Sequence, residues 1–218
     1  MVDLSGLCVE LYSASTPNGI KVAACLEELR SLSNGKFQYE QVTIDIRNNA
    51  QVAEEYLQIN PNGKVPTIVN AEEGCIVYES GAILLYLAEK SGALLPSDRA
   101  VRTIATSWLF WSSTGLSNQV KQFGYYYKSC QHSIPYCVSR YAKEVKRLLL
   151  VLEKHLSDNR AYIIGGMMHS NITFLLIMRT HFYLVKICES AQRSTLLLTL
   201  ASGLGSMLYT TTADRRLR

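Results

Sequence analysis

NPNGKVPTIVNAEEGCIVYESGAILLYLAEKSG, residues 60–92, is the stretch that decides the fold. Residues 60–63 form a turn sequence, and the short runs at residues 65–69 and 75–78 are typical of strands. Residues 79–90 have the apolar spacing of a helix. The stretch therefore predicts an antiparallel hairpin followed by a helix. The expected core residues of that helix are Ile83, Leu84 and Leu87.

The residues before this stretch predict a strand–helix–strand unit. Residues 7–12 are an apolar run, and residues 37–44 alternate with a period of two, as a half-buried strand does. Between them Thr16 is the expected N-cap of a helix with Pro17 in its first turn. A short helix is expected over residues 50–58. Because a strand–helix–strand unit implies a parallel pair, the predicted α/β domain has a mixed, four-stranded sheet.

The remaining chain has a different pattern, because strand signals fade. Residues 91–98, SGALLPSD, contain glycine, proline and serine and are typical of a linker. Residues 101–127 and 134–156 have helical patterns, and the second of these is strongly amphipathic. We therefore predict an α/β domain over residues 1–90 and an all-α domain over residues 99–218.

Composition indicates a globular protein with small-molecule partners. Of the 218 residues, 48% are apolar and 18% charged, and 22 basic against 18 acidic groups give a net charge of +4. This excess suits small anionic ligands and is too weak and scattered to indicate nucleic-acid binding. The first residues lack the pattern of a secretory signal, and no apolar run approaches the ~20 residues that span a bilayer. We expect a cytoplasmic protein without a membrane partner.

Cysteine and histidine usage argues against a metal or a dithiol centre. The six cysteines have no C-x-x-C spacing, so we expect reduced, mostly buried thiols. The four histidines lack ligand spacing, and we expect no bound metal.

Three motifs carry a family resemblance: STPNGIKV at residues 15–22, NPNGKVPTIV at residues 60–69 and VYESGAILLYLAEKSG at residues 77–92. Together they resemble the cytosolic glutathione transferases, and they are most similar to the Ure2-like and bacterial nu-class branch. The resemblance extends from residue 5 to about residue 165. It implies a thioredoxin-like domain followed by a helical domain, glutathione as co-substrate and a homodimer. It also implies detoxification by conjugation to small electrophiles, or glutathione-dependent reduction of disulfides or peroxides.

The resemblance assigns the peptide part of glutathione to two motifs. It implies a cis Val65-Pro66 peptide that exposes the Val65 N–H and C=O for pairing with the cysteinyl part of the ligand. Ser80, at a helix start, is the expected contact of a glutathione carboxylate, and Glu79 is the expected contact of its ammonium group. The alternatives are an ordinary trans proline and a helix cap beside a solvated acid.

The resemblance also implies three further contacts with glutathione, and for each of them an alternative interpretation is equally good. Gln51 precedes the second helix, where the family often has a polar contact, and Lys64 is placed to meet the glycyl carboxylate. Arg140 matches an arginine that the closest branch carries in the pattern found here as SIPYCVSRY. Each of these side chains is equally compatible with an ordinary solvent-facing position.

The catalytic assignment rests on donors at the start of the first helix. No cysteine lies between Cys8 and Cys25, both expected in the core, so a mixed disulfide with the protein is disfavoured. The resemblance places Thr16 and Asn18 opposite the glutathione sulfur, ahead of Tyr12, Ser13 and Ser15. Hydrogen-bond donors there stabilise the thiolate, whose free pKa is ~8.5. The alternative is that the T-P-N-G segment is only a well-capped helix start.

The resemblance weakens in the second half of the chain. Residues 112–123 lack the second glycine and the proline of the family's helix break, and residues 170–173 have threonine where relatives have an acid. From about residue 166 no family pattern remains. This suggests either an altered reading frame or rapid divergence. Two other functional hypotheses therefore stand beside the enzyme: a non-catalytic Ure2-like regulatory protein, and the product of a damaged gene.

Overall fold

A computed structural model describes Leu4, residues 6–157 and residues 163–164 of the chain. The described residues form two compact units that divide after Leu109. The expected helix-opening pattern at residues 170–173 lies outside the described residues. The domain limits inferred from the sequence stay a prediction.

The first unit alternates strands and helices in the predicted order. Two short 3-10 turns, Ile46–Asn48 and Ala50–Val52, follow its second strand. The elements are β1 Val9–Ser13, α1 Pro17–Leu32, β2 Tyr39–Thr43, α2 Glu54–Ile59, β3 Thr67–Asn70, β4 Cys75–Tyr78, α3 Ser80–Ser91 and α4 Arg99–Phe110, whose last residue is the first of the second unit.

The sheet has the strand order β2-β1-β3-β4. β1 runs parallel to β2 and antiparallel to β3, and β3 runs antiparallel to β4. This confirms the mixed, four-stranded, thioredoxin-like sheet that the sequence predicts.

The core of this unit lies between the sheet and two helices. Leu11 of β1 and Ile68 of β3 are fully buried, as are the faces that α1 and α3 turn toward each other. Each large aliphatic side chain buried in this way contributes about 1.5–3 kcal/mol relative to full exposure. The three predicted core residues of α3 are all buried, at Ile83, Leu84 and Leu87.

Two local predictions in this unit are wrong. β2 is largely exposed rather than half-buried, because it is an edge strand of the sheet; Phe37, which is buried, precedes it. The expected helix over residues 50–58 is interrupted at Ala53, whose extended backbone separates a 3-10 turn from α2.

The second unit is helical in its described part. Its elements are α5 Ser117–Gly124 and α6 Pro135–Leu156, with π-helical segments at Trp111–Leu116 and Tyr125–Ser129. Its core is formed by Leu116, Val120, Phe123, Ala142, Val145, Leu148 and Leu149. The helix predicted over residues 101–127 is therefore interrupted, and the first interruption falls where the family's helix break is expected. No helix among the described residues is long and apolar enough to cross a membrane.

Candidate functional site

Three of the sequence motifs meet at one end of the sheet. Tyr12, near the end of β1, is in register with Thr67, the first residue of β3. Thr67 is in turn in register with Tyr78, the last residue of β4. The turn into α1, the Val65-Pro66 peptide and the start of α3 therefore adjoin strand ends that lie side by side. We call this end of the sheet the motif end.

The segment after β2 leads to the same end. Thr43, the last residue of β2, is in register with Ser13, and the Ile44 N–H donates to the Ser13 carbonyl at 2.8 Å. Gln51 follows in a 3-10 turn, and a Cβ at Gly63 would lie 3.2 Å from the Gln51 carbonyl oxygen. Gln51 therefore lies beside the NPNG turn.

Thr16 caps α1, as the sequence predicts. Its hydroxyl oxygen accepts a hydrogen bond from the Gly19 N–H at 3.0 Å, and its backbone is extended. Since the hydroxyl accepts in this contact, its own hydrogen stays available to a ligand. The side chain is half-buried at the positive end of a 16-residue helix. Thr16 can thus donate to a thiolate while it caps the helix.

The neighbouring candidates differ in how far their hydroxyl or amide groups are engaged. Asn18 is exposed and makes no side-chain hydrogen bond with the residues that the structure describes. Tyr12 donates to the Glu10 carboxylate at 2.8 Å, and this bond raises the pKa of Tyr12. Ser13 is buried, and its hydroxyl is within 3.3 Å of the Ala14 carbonyl. Asn18 therefore has its donor group more accessible than Tyr12 or Ser13.

Gly19 allows the close approach of α1 to the end of β1. A Cβ at this position would lie 2.2 Å from the Ser13 Oγ and 2.4 Å from the Ala14 carbonyl oxygen. The glycine of T-P-N-G is therefore needed for space in the turn that places Thr16 and Asn18.

The Val65-Pro66 peptide is cis, as the resemblance implies. Val65 is half-buried, and neither its N–H nor its C=O is hydrogen-bonded to any described residue. Pro66 itself is buried. The motif end thus contains an unpaired donor and an unpaired acceptor on one residue, the pattern that an extended peptide can pair with.

A buried cluster of hydrogen bonds fixes the backbone on both sides of Val65. The Lys64 carbonyl accepts from the Tyr56 hydroxyl at 2.8 Å and from the Asn60 side-chain amide at 2.7 Å. The same Asn60 amide donates to the Thr67 hydroxyl at 2.9 Å, and Tyr56 and Thr67 are also 2.9 Å apart. Tyr56, Asn60 and Thr67 are at most 5% exposed. We refer to these three side chains as the Lys64 clamp, which the sequence reasoning missed.

The start of α3 contains a strained residue. Glu79 has φ +67° and ψ 114°, a conformation that side chains other than glycine rarely adopt. Its exposed carboxylate accepts from the Asn62 side-chain amide at 3.2 Å. Ser80 follows as the first residue of α3 and is 7% exposed. Glu79 thus combines a strained backbone with a hydrogen bond to the NPNG turn. Backbone strain of this kind clusters at ligand sites.

Gln51 and Lys64, the two first-unit residues whose contact with glutathione has an equal alternative, differ in their environment. The Gln51 Oε1 is buried and has no hydrogen-bond partner among the described residues. An orphaned acceptor of this kind favours a ligand donor at the motif end. Lys64 is exposed.

Arg140 lies in the second unit, near the start of α6, and is exposed. The other candidates, from Thr16 to Ser80, all belong to the first unit. The contact with glutathione that the resemblance assigns to Arg140 stays a prediction.

The cysteines are placed differently from the expectation. Cys25 is buried, and burial raises its pKa to about 12, but Cys8 is exposed just before β1. The prediction that both lie in the core is wrong for Cys8, because β1 starts one residue later than it. Cys8 and Cys75 lie at the opposite end of the sheet, since Val9 and Cys75 are both in register with Asn70. Among the described residues, no group of three or more metal-ligating side chains is found.

Comparison with known proteins agrees with the motifs. Residues 9–89 match the family described as the N-terminal domain of glutathione S-transferase. The disulfide-bond oxidoreductase YghU of Escherichia coli is 40% identical over 154 residues, 70% of this chain and 54% of that protein. The protein URE2 of Debaryomyces hansenii is 35% identical over 159 residues, 69% of this chain and 49% of that protein. The chain thus spans about half the length of these relatives.

A solved structure shows the same fold. The glutathione transferase YghU from Streptococcus pneumoniae, complexed with glutathione, has a TM-score of 0.76 and 35% identity. The match covers 83% of this chain and 69% of that one.

Proposed function

The chain belongs to the cytosolic glutathione transferase superfamily and to its Ure2-like branch, and on that premise we propose that it binds glutathione at the motif end and activates the ligand's thiol. The observation that carries this proposal is the unpaired backbone of Val65, held by the Lys64 clamp beside the capped start of α1. Glutathione is a peptide with a thiol. The unpaired Val65 N–H and C=O can pair with its peptide backbone, and the start of α1 can stabilise its thiolate.

The binding mode follows from the groups at the motif end. The cysteinyl N–H and C=O of glutathione pair with the C=O and N–H of Val65 beside Pro66, as an added strand does. The γ-glutamyl carboxylate accepts hydrogen bonds from Ser80 at the start of α3, where the helix dipole favours an anion. Glu79 takes the ligand's ammonium group, as an exposed carboxylate suits it.

The glycyl end of glutathione has polar and basic candidates. The buried Gln51 Oε1 accepts from an amide N–H of the ligand, and Lys64 meets the glycyl carboxylate. Arg140 is proposed as a further carboxylate contact from the second domain. The two-domain division, at residues 1–90 and 99–218 around a linker at 91–98, is part of the same proposal.

The chemistry is stabilisation of the thiolate by neutral donors. The Thr16 hydroxyl and the Asn18 amide donate hydrogen bonds to the sulfur, which favours the anion over the thiol. Neither side chain ionises, so the thiol proton leaves to solvent. The thiolate then attacks an electrophilic carbon, whose leaving group departs as an anion, to give a thioether, or it attacks a disulfide sulfur and expels the other sulfur as a thiolate.

Disulfide reduction is the reaction that the relatives' names favour. The glutathione thiolate attacks one sulfur of the substrate and expels the other as a thiolate, forming a mixed disulfide. A second glutathione thiolate then attacks the glutathione sulfur of that mixed disulfide, which releases glutathione disulfide and the second substrate thiolate. Both electrons come from glutathione. This scheme needs no protein thiol, and Cys8 and Cys75 lie at the far end of the sheet.

A single set of measurements tests the proposal. Calorimetry of the purified chain with glutathione and with glutathione disulfide measures binding, and parallel assays with hydroxyethyl disulfide and chlorodinitrobenzene compare reduction with conjugation. We expect binding and faster reduction than conjugation. Absence of binding would overturn the proposal, whereas binding without turnover would favour the regulatory alternative suggested by the likeness to URE2.

The remaining family properties are proposed on the same premise. A homodimer, a cytoplasmic location and a role in detoxification are expected of this superfamily. Light scattering of the purified chain measures the first of these directly, and a monomer at all concentrations would contradict it.

A further inference from the structure

Two cysteines of the second unit, Cys130 and Cys137, have no part in the mechanism above. Both are free and half-buried, unlike the fully buried Cys25. Cys130 directly follows the π-helical segment Tyr125–Ser129, and Cys137 is the third residue of α6. Residues 131–136, which separate the two cysteines, are all exposed. Thiols in such a position are accessible to small oxidants.

The helical elements on either side of this connection run antiparallel. Near the connection, the Tyr126 and Tyr141 rings stack with their centroids 5.4 Å apart. Farther from it, a Cβ at Gly115 would lie 4.0 Å from the Leu148 Cδ2. The contacts thus move backward along the first element as they move forward along α6. The two elements therefore form a helical hairpin.

The register of this hairpin makes Cys130 and Cys137 its next facing pair. Cys130 follows Tyr126 by four residues, and Cys137 precedes Tyr141 by four residues. Because residues four apart lie on one side of a helix, each cysteine is about one turn nearer the connection than its tyrosine. The Cys130 N–H donates to the Tyr125 carbonyl at 2.8 Å, so the π-helical winding continues to Cys130.

The ionisation of Tyr126 agrees with this placement. The pKa of Tyr126 is raised, first by the charge of Cys137 and then by desolvation, with further contributions from Tyr141, Cys130 and Tyr125. Charges near a protein surface are screened beyond about 10 Å. Both cysteine sulfur atoms therefore lie in the neighbourhood of the one tyrosine hydroxyl, as the register of the hairpin requires.

We propose that Cys130 and Cys137 are a redox modification site, at which glutathione disulfide oxidises the two thiols to an intramolecular disulfide. The oxidant is the product that the proposed reduction of disulfides releases, so its supply rests on the proposed function, whereas the site itself does not. Neither cysteine takes part in that reduction, which draws both electrons from glutathione.

The oxidation proceeds by two thiol–disulfide exchanges. The thiolate of one cysteine attacks glutathione disulfide, forms a mixed disulfide and expels a glutathione thiolate. The thiolate of the other cysteine then attacks the protein sulfur of the mixed disulfide and expels the second glutathione thiolate. The protein loses two electrons and two protons, and glutathione disulfide gains both to give two molecules of glutathione.

Mass spectrometry of the folded chain tests the site directly. The chain is incubated with glutathione disulfide, its remaining free thiols are alkylated, and it is digested with trypsin. Trypsin cleaves after Lys128 and Arg140 and at no residue between them, so both cysteines lie in the peptide 129–140. We expect this peptide to carry an internal disulfide. Recovery of the peptide with both cysteines alkylated would overturn the inference.

Single variants should trap the mixed disulfide. Cys130→Ser and Cys137→Ser should each accumulate one glutathionyl group in the peptide 129–140, because the thiol that would displace it is absent. Cys75→Ser, which removes a half-buried thiol from the first unit, is the control and should form the internal disulfide normally. A natural chain that keeps a glutathionyl group on both Cys130 and Cys137 would show that the two sulfur atoms do not meet.

The contribution of the fold is measured by comparing the folded chain with the chain unfolded in urea. At a fixed glutathione concentration, the folded pair should become oxidised at about one tenth of the glutathione disulfide concentration that the unfolded pair needs. By thermodynamic linkage, the oxidised chain should then resist unfolding more than the reduced chain by the same factor, about 1.4 kcal/mol. Equal redox equilibria in the two states would contradict the facing register.

The outcomes distinguish this site from the proposed function. If the chain binds and turns over glutathione but the peptide 129–140 stays reduced, only the modification site is overturned. If the peptide becomes oxidised in a chain that binds no glutathione at the motif end, the proposed function fails and the modification site stands.

Discussion

The Asn60 side-chain amide donates to the Lys64 carbonyl at 2.7 Å, across the turn that precedes the cis Val65-Pro66 peptide. Asn60 is 1% exposed and uses both ends of its amide, because its Oδ1 also accepts from the Asn62 N–H at 3.0 Å. One side chain thus shapes the NPNG turn and the backbone that leads into Val65. The affinity for a peptide ligand should therefore depend on a residue that the ligand does not touch.

Asn60→Asp tests this dependence with almost no change in volume. The new carboxylate cannot donate to the Lys64 carbonyl, so a buried acceptor loses one partner and faces a negative charge. We expect a loss of about 2–3 kcal/mol in the free energy of unfolding. Urea unfolding measures it. Tyr56→Phe, which removes one donor to the same carbonyl, should cost about 1 kcal/mol, and the exposed Asn118→Ala should cost little. Equal stability of Asn60→Asp and the natural chain would contradict the clamp.

Thr16→Val separates the capping and donor functions of one hydroxyl. Loss of the N-cap should destabilise the chain by about 1 kcal/mol. Loss of the donor should raise the pKa of bound glutathione's thiol, which the ultraviolet absorbance of the thiolate reports during a pH titration. Thr16→Ser should retain both properties.

Asn18→Ala should raise the pKa of bound glutathione's thiol, because one donor to the sulfur is lost. It should not lower the stability as Thr16→Val does, because Asn18 is exposed and makes no side-chain hydrogen bond with the described residues. Ser15→Ala is the matched control, since Ser15 is exposed in the same turn. A thiol pKa that moves in Ser15→Ala but not in Asn18→Ala would refute the catalytic assignment.

Gly19→Ala should be among the most destabilising single-methyl substitutions in the first unit. The added Cβ would lie 2.4 Å from the Ala14 carbonyl oxygen, a backbone atom that moves only if the whole turn moves. Overpacking of this kind typically costs about 1–3 kcal/mol. Gly6→Ala is the control, because nothing lies within 4 Å of a Cβ there. Thermal unfolding of the two variants side by side checks the difference; similar melting temperatures would show that the turn can relax.

Protein thiols should be dispensable for turnover. Cys25 is buried with its pKa raised to about 12, so it carries no appreciable thiolate near neutral pH. Cys8 is exposed, but it lies at the end of the sheet opposite Thr16. We expect Cys8→Ser and Cys25→Ala to keep the natural rate of glutathione-dependent disulfide reduction. A large loss of kcat in Cys8→Ser, with normal stability, would indicate a mixed disulfide on the protein instead.

Local chemistry explains what the sequence could predict. The Thr16 cap depends on residues three apart, and the hairpin of β3 and β4 depends on a short turn, so both are visible in a single stretch of chain. The stripe of Ile83, Leu84 and Leu87 follows from helical spacing. In each of these cases the local preference and the tertiary fold agree.

The features that escaped prediction depend on distant neighbours. Tyr56 belongs to the Lys64 clamp because the fold brings its hydroxyl to the Lys64 carbonyl and to Thr67. Nothing in the sequence of α2 indicates these partners. Lys21 has the residue type of a surface position, yet it is only 3% exposed in the folded chain. β2 has the alternation of a half-buried strand, but its edge position in the sheet leaves it exposed. Sheet order and helix packing decided these three, and neither is encoded in local periodicity.

Lys21→Met should stabilise the chain at neutral pH, because it removes a charge from a side chain that is only 3% exposed. The pKa of Lys21 is about 8 in the folded chain and 10.5 at its ordinary value, so between these pH values the unfolded chain binds more protons. Stability therefore rises with pH across that window, and below it the full cost of burying the charge is present. Methionine has no such cost, and we expect Lys21→Met to be more stable by about 1–3 kcal/mol near pH 7.

This advantage should shrink toward pH 10, where the natural lysine is largely neutral in the folded chain. Urea unfolding at several pH values measures the difference between the two curves, and Lys36→Met should show no comparable change because Lys36 is exposed. Curves for Lys21→Met and the natural chain that stay parallel from neutral to alkaline pH would contradict the burial of a charged Lys21.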